Sequence, residues 1–199
     1  MAVQAVRESI QGHPFNDVLN ELHAHTLTGV PGESDPFTLS ELEREYIAYA
    51  LAIYYQCDHC QKYHGRVVDR LRELSGASHW DWRAEFVRIS LFLRTSRFNV
   101  SQLEWDGWID SWRRFAGRLH ARQPGLACCI AYAVGIARAD EHLMDLSFES
   151  LGRLYATDEN LLGAIRDIDR LVVFMKAATS KNRTDPIVRR QLSARGIRV

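Results

Sequence analysis

Apolar residues along this chain recur at steps of three and four almost from end to end, and no segment alternates strictly between apolar and polar positions. The pattern predicts an all-α protein. Short helices are expected over residues 2–11 and 15–27, and a loop over 28–36, where Gly29, Pro31, Gly32 and Pro36 interrupt the period. Thr38-Leu-Ser-Glu41 has the spacing of a capping box, in which a hydroxyl and a carboxylate satisfy each other's free helix amides, so a strong helix is expected to start there. That helix carries Tyr46, Ile47, Tyr49, Ala50, Leu51 and Ile53 before a break near Tyr55 and Gln56. A second helix opens at Cys57 and runs to Ser75, with Gly76 suited to the left-handed cap. A third is expected over 79–95. Ser101-Gln-Leu-Glu104 repeats the capping-box spacing ahead of a Trp-rich helix that ends before Gln123-Pro-Gly125. Helices over 126–139 and 141–154 follow, and Thr157 caps one that runs from Asp158 towards Ala178. Beyond it, a basic tail over 182–199 holds Arg183, Arg189, Arg190, Arg195 and Arg198, and is expected to be a solvated end or a strap across a neighbouring subunit.

The pattern also echoes itself at an offset of 83 residues: Ile47-Ala-Tyr-Ala50 matches Ile130-Ala-Tyr-Ala133, and Ile53, His59, Arg70 and Leu71 match Ile136, His142, Arg153 and Leu154. The echo suggests a tandem helical repeat within one domain over 1–199, with a motif-bearing half at about 37–95 and a degenerate copy at about 120–180. The copy lacks the chemistry, because Asp140 and Leu143 stand where Cys57 and Cys60 stand.

Composition narrows the class further. With 199 residues, 46% hydrophobic and 25% charged, the chain has ordinary globular composition and can fold without staples. Lys+Arg and Asp+Glu both count 25, so there is no net field to draw in nucleic acid or anionic lipid. The first residues lack the basic start and apolar stretch of a secretory signal, and the apolar run Leu126 to Ala137 falls short of the roughly 20 residues of a bilayer span. A cytoplasmic protein without nucleic-acid or membrane partners is expected. Its four cysteines, at 57, 60, 128 and 129, would be kept there as thiols, and such close spacing points to chemistry before structural bridging.

Residues three apart on a helix lie on one face at a separation a disulfide can bridge, so Cys57 and Cys60 can open and close a bond locally. A cysteine at the start of the helix lies at the positive end of the macrodipole, which favours its thiolate. His64 follows Cys60 by four residues on the same face and can exchange a proton with that sulfur. Glu45 would sit about 18 Å from Cys57 along an unbroken helix, so it joins the site only if the chain turns near Tyr55 and Gln56.

Glu45, eleven further residues, Cys57-Asp-His-Cys60, three more and His64, preceded by Thr38-x-x-Glu41-x-x-x-Glu45, resemble the signature of the alkylhydroperoxidase D-like proteins of the carboxymuconolactone decarboxylase superfamily. The resemblance covers about residues 37–75. It implies an all-α helical bundle that assembles as a trimer or hexamer. It also implies a thiol-dependent peroxidase that reduces a hydroperoxide through a sulfenic acid and then a disulfide. In the family Cys60 would be the peroxidatic cysteine and Cys57 its partner, with Glu45, His59 and His64 as a proton relay. A dihydrolipoyl group or a thioredoxin-like protein would be the dithiol donor, and no bound organic cofactor or metal is implied. The motif stands in the first half of this chain, whereas the peroxidase that names the family carries it in the second. Lactone decarboxylation is disfavoured because the decarboxylase branch lacks the cysteine pair.

Two other readings remain: a disulfide reductase or oxidant sensor of the same fold, and a helical oligomeric protein holding zinc through Cys57, Cys60 and His64. A zinc site would need a fourth ligand from elsewhere, and three ligands strung over two helical turns close poorly around a metal. Cys128 and Cys129 point about 100° apart on an apolar helix and read as core, as the five tryptophans read as helix or subunit packing.

Overall fold

The computed structural model describes residues 17–29, 37–77, 80–95, 102–123 and 125–196. Among them every regular element is helical. They form α1 (Asp17–His23), continued by a π turn (Ala24–Thr28), α2 (Glu41–Tyr54), α3 (Asp58–Ser75), α4 (Trp82–Thr95), α5 (Gln102–Arg122), α6 (Leu126–Arg138), α7 (Glu141–Gly152) and α8 (Asp158–Ala194). No helix among the described residues is long and apolar enough to cross a membrane. The helix expected over 2–11 and most of the 28–36 loop lie outside the described residues.

Two helices are enclosed on all sides, as their near-continuous apolar stretches require. In α2 every residue from Arg44 to Ile53 is buried, and in α6 burial runs from Leu126 to Gly135 with only Cys128 partly exposed. These two pack on each other, α3 folds back along α2, α7 folds back along α6, and α8 runs against both pairs. On the α4 side, Tyr46 stacks on Phe86 with ring centroids 4.8 Å apart, and Trp82 meets Tyr46 and Tyr49 edge-on. Phe92, Trp108, Trp112 and Phe115 join α4 to α5 as a stacked aromatic group. Trp82 and Trp112 are thus buried in helix packing, one of the two roles the sequence offers them.

The first capping box sits two residues later than its expected position. Ser40 is the N-cap of α2: its Oγ accepts from the Glu43 N–H, and the Glu43 carboxylate accepts from the Ser40 N–H at 2.8 Å. Thr38 is drawn elsewhere because its N–H and that of Leu39 both donate to the Asp167 carboxylate on α8, at 2.8 and 2.9 Å. The approach is so close that a Cβ on Gly163 would lie 1.9 Å from Thr38 Oγ1 and 3.1 Å from its Cβ, so any larger residue would force the Thr38 side chain to move. Gly76 does adopt the expected left-handed cap, with φ 62°. The segment read as a basic tail continues α8 through Pro186 to Ala194.

Candidate redox site

The turn that brings Glu45 to the site lies where α2 ends. Gln56 takes the left-handed conformation at φ 56°, uncommon for a residue with a Cβ. Its N–H returns to Ile53 O and that of Cys57 to Ala52 O, which closes α2 and reverses the chain. Cys57 is then the N-cap of α3, and its Sγ accepts the Cys60 N–H at 3.3 Å. The same construction recurs 83 residues later. Ala139 is left-handed at φ 54°, the Ala139 and Asp140 N–H groups return to Ile136 O and Gly135 O, and Asp140 caps α7 by accepting from the Leu143 N–H.

Cys57 and Cys60 are joined as a disulfide with their Cα atoms 5.2 Å apart. Both are almost wholly buried, at 5% and 3% exposure. Because α3 folds back along α2, Glu45 and His64 meet: Glu45 Oε2 lies 2.7 Å from His64 Nδ1 in a pair that is buried on both sides. A carboxylate facing Nδ1 holds the proton on that nitrogen, so Nε2 is left to take or give a proton. Tyr63 and Phe174 wall the ring edge-on, and Tyr63 Oη is hydrogen-bonded to His23 Nε2 at 3.1 Å. His59 lies on the exposed first turn of α3 beside Asp58.

Three residues of α8 complete the site, and the sequence reading missed all of them. Asn182 Nδ2 donates to Cys60 Sγ at 3.4 Å and lies 3.8 Å from Cys57 Sγ; Thr179 Oγ1 lies 3.9 Å from Cys60 Sγ; and the Arg183 guanidinium donates to Tyr55 O. A signal for them existed. Ala164, Ile168, Leu171, Met175 and Ala178 form the buried stripe of α8, and Thr179 and Asn182 prolong it at helical spacing past the point where the apolar residues stop.

No protein-family model, curated protein or solved structure matches this chain. What the site can do therefore follows from its geometry. A sulfur pair at bonding distance can carry two electrons, and the buried Glu45–His64 pair can hold a proton behind it. Among the described residues, no group of three or more His, Cys, Asp or Glu side chains is arranged to hold a metal ion. Cys128 and Cys129 are free thiols on α6 with other neighbours, Ser150 and Tyr155. Burial pushes the Cys129 thiol up to about 12 and also raises Cys128, so both are poor nucleophiles near neutral pH.

Proposed function

We propose that the chain is a thiol-dependent peroxidase of the alkylhydroperoxidase D-like kind, a cytoplasmic homo-oligomer recycled by a dithiol donor. Its helical halves would be a duplication in which the second has lost the cysteines. The observation that carries the reading is the Cys57–Cys60 pair at the N-terminus of α3 with the buried Glu45–His64 pair one turn further along.

In this reading the Cys60 thiolate attacks the distal oxygen of a hydroperoxide. The O–O bond breaks, and the departing alkoxide takes a proton to leave as an alcohol, with His64 backed by Glu45 as its source. Cys60 is left as a sulfenic acid. Cys57 sulfur then displaces that oxygen, which leaves as water, and the disulfide forms. A dihydrolipoyl group or a thioredoxin-like protein supplies two electrons and two protons by thiol–disulfide exchange and returns both thiols. His59, exposed on the first turn, would serve as the solvent end of the proton path.

The test is hydroperoxide-dependent oxidation of a dihydrolipoyl or thioredoxin donor. Turnover in the wild type that disappears in Cys60→Ser supports the assignment, and turnover that survives the substitution removes Cys60 from the peroxidatic role. Dithiol oxidation by small disulfides, with no hydroperoxide turnover, would instead mark a disulfide reductase of the same fold.

A further inference from the structure

The two sulfurs share one side-chain donor unequally. Cys57 Sγ is served by its own helix, through the Cys60 N–H that any N-cap acceptor would receive, as Asp140 does at the second corner. Cys60 lies inside the first turn and is met from another helix, by Asn182 Nδ2 at 3.4 Å, nearer than the 3.8 Å from the same nitrogen to Cys57 Sγ, and by Thr179 Oγ1 at 3.9 Å. Helix polarity by itself would make Cys57 the better thiolate. An amide N–H directed at a sulfur anion is a charge-assisted hydrogen bond, stronger than the same bond to a neutral thiol, so it favours ionisation of the sulfur it faces.

We infer that Asn182 is a catalytic residue of the redox centre, whose side-chain amide stabilises the Cys60 thiolate and so selects Cys60 over Cys57 as the nucleophile. The inference rests on the redox reading of the pair and adds the source of its asymmetry. Asn182 stays neutral throughout: it lends a donor and takes no part in proton or electron transfer. The titratable groups around the sulfurs are His64, backed by Glu45, and the exposed Asp58 and His59 on α3. Tyr55 stands at the end of α2 and Tyr63 beside His64, while Lys181, paired with Asp185, and Arg183 flank Asn182 on α8. Burial holds the Tyr55 phenol up to about 12, so it remains protonated across the range tested. Replacing Asn182 with alanine leaves every one of these charges in place.

The experiment follows iodoacetamide alkylation of the reduced full-length protein from about pH 5 to about pH 10, a range that brackets an ordinary thiol. Peptide mass spectrometry separates the two sites from Cys128 and Cys129. Cys57→Ser reports Cys60 alone and keeps a hydroxyl at the N-cap; Cys60→Ser reports Cys57 alone. Adding Asn182→Ala is expected to lower Cys60 alkylation at neutral pH about tenfold and to move its midpoint up, while Cys57 changes by less than about twofold. Asn182→Asp has the same shape and places a like charge against the thiolate, so it lowers Cys60 reactivity further than alanine does. An unchanged Cys60 profile, or equal shifts at both cysteines, overturns the assignment. If the alanine variant fails to keep its helical circular dichroism, the isosteric aspartate variant decides by the same criteria. Absence of hydroperoxide turnover in the wild type would sink the peroxidase reading and leave these alkylation profiles to judge Asn182 independently.

Discussion

Gln56 and Ala139 make the same left-handed turn, and Cys57 and Asp140 after them take nearly the same extended conformation, φ −101° and ψ 94° against φ −102° and ψ 97°. One corner leads into a sulfur pair and the other into a carboxylate above the fully buried Leu143. Both caps accept from the amide three residues on, a task that Asp performs well and a thiol sulfur performs weakly. A cysteine at Cys57 is therefore poorly explained by capping alone. Position for position, His64 corresponds to Ser147, whose Oγ donates back to Leu143 O within its own helix at 2.6 Å, and Glu45 corresponds to Cys128. The second corner has the same backbone turn, with Ser147 and Cys128 standing where the first has His64 and Glu45. Fold and chemistry are thus separable here, since the shared turn makes the scaffold and side chains from distant elements make the site.

The largest expected contrast comes from breaking the buried pair. Glu45→Ala strands the His64 ring inside the bundle and should cost about 3–5 kcal/mol in urea unfolding. Cys128→Ala, at the equivalent position, should cost about 1 kcal/mol. Equal losses would mean that Glu45 is only packing.

A smaller contrast probes the turns. A Cβ on Gly135 would come within 2.8 Å of the Met144 side chain and 3.2 Å of its backbone nitrogen, whereas the matching Ala52 is already accommodated beside Gln61. Gly135→Ala should destabilise by about 1–2 kcal/mol despite alanine's better helix propensity, and Ala52→Gly by about 1 kcal/mol through the lost propensity. A stabilised Gly135→Ala variant in thermal unfolding would show that the second corner is looser than the first.

Removing the caps should separate the corners more finely. Asp140→Ala is expected to cost about 1 kcal/mol in urea, and Cys57→Ala, measured under reducing conditions, less than about 0.5 kcal/mol. Parity between them would make Cys57 a structural cap.

The weakest expected effect concerns the hold of α8 on the start of α2. Burial raises the Asp167 carboxyl above the ordinary carboxylate range, against the lowering action of the Leu39 and Thr38 N–H groups and the nearby Arg44 and Arg170. An acid whose folded-state value is raised favours the folded protein below its unfolded value, and that advantage is lost as pH rises through the folded value. Relative to Asp167→Asn, the wild type should therefore lose stability as pH climbs through and just above the ordinary carboxylate range. Parallel pH curves from chemical denaturation would remove Asp167 from this role.

The helical period and the punctuation by Gly, Pro and capping residues made most of the fold legible in the sequence. The bounds of α2, α3, α6 and α7 fall within a few residues of expectation because each is set by local hydrogen bonding around a turn. The capping box slipped by two residues because Thr38 and Leu39 answer to Asp167, 129 and 128 residues away, and no local pattern records that demand. The length of α8 was missed because its second half is polar: the apolar stripe ends at Ala178 and the helix continues past it.

At the site, Cys57, Cys60 and His64 were legible because their spacing is local, and Glu45 was conditional on a turn that Gln56 makes. By itself the sequence determined the all-helical architecture and the placing of two sulfurs on one helical turn, since both follow from residues within a few positions of one another. Only the tertiary structure decided that Glu45 reaches His64 and that Thr179 and Asn182 close over the sulfurs. Those contacts join residues far apart in the chain, and their partners are set by how whole helices pack.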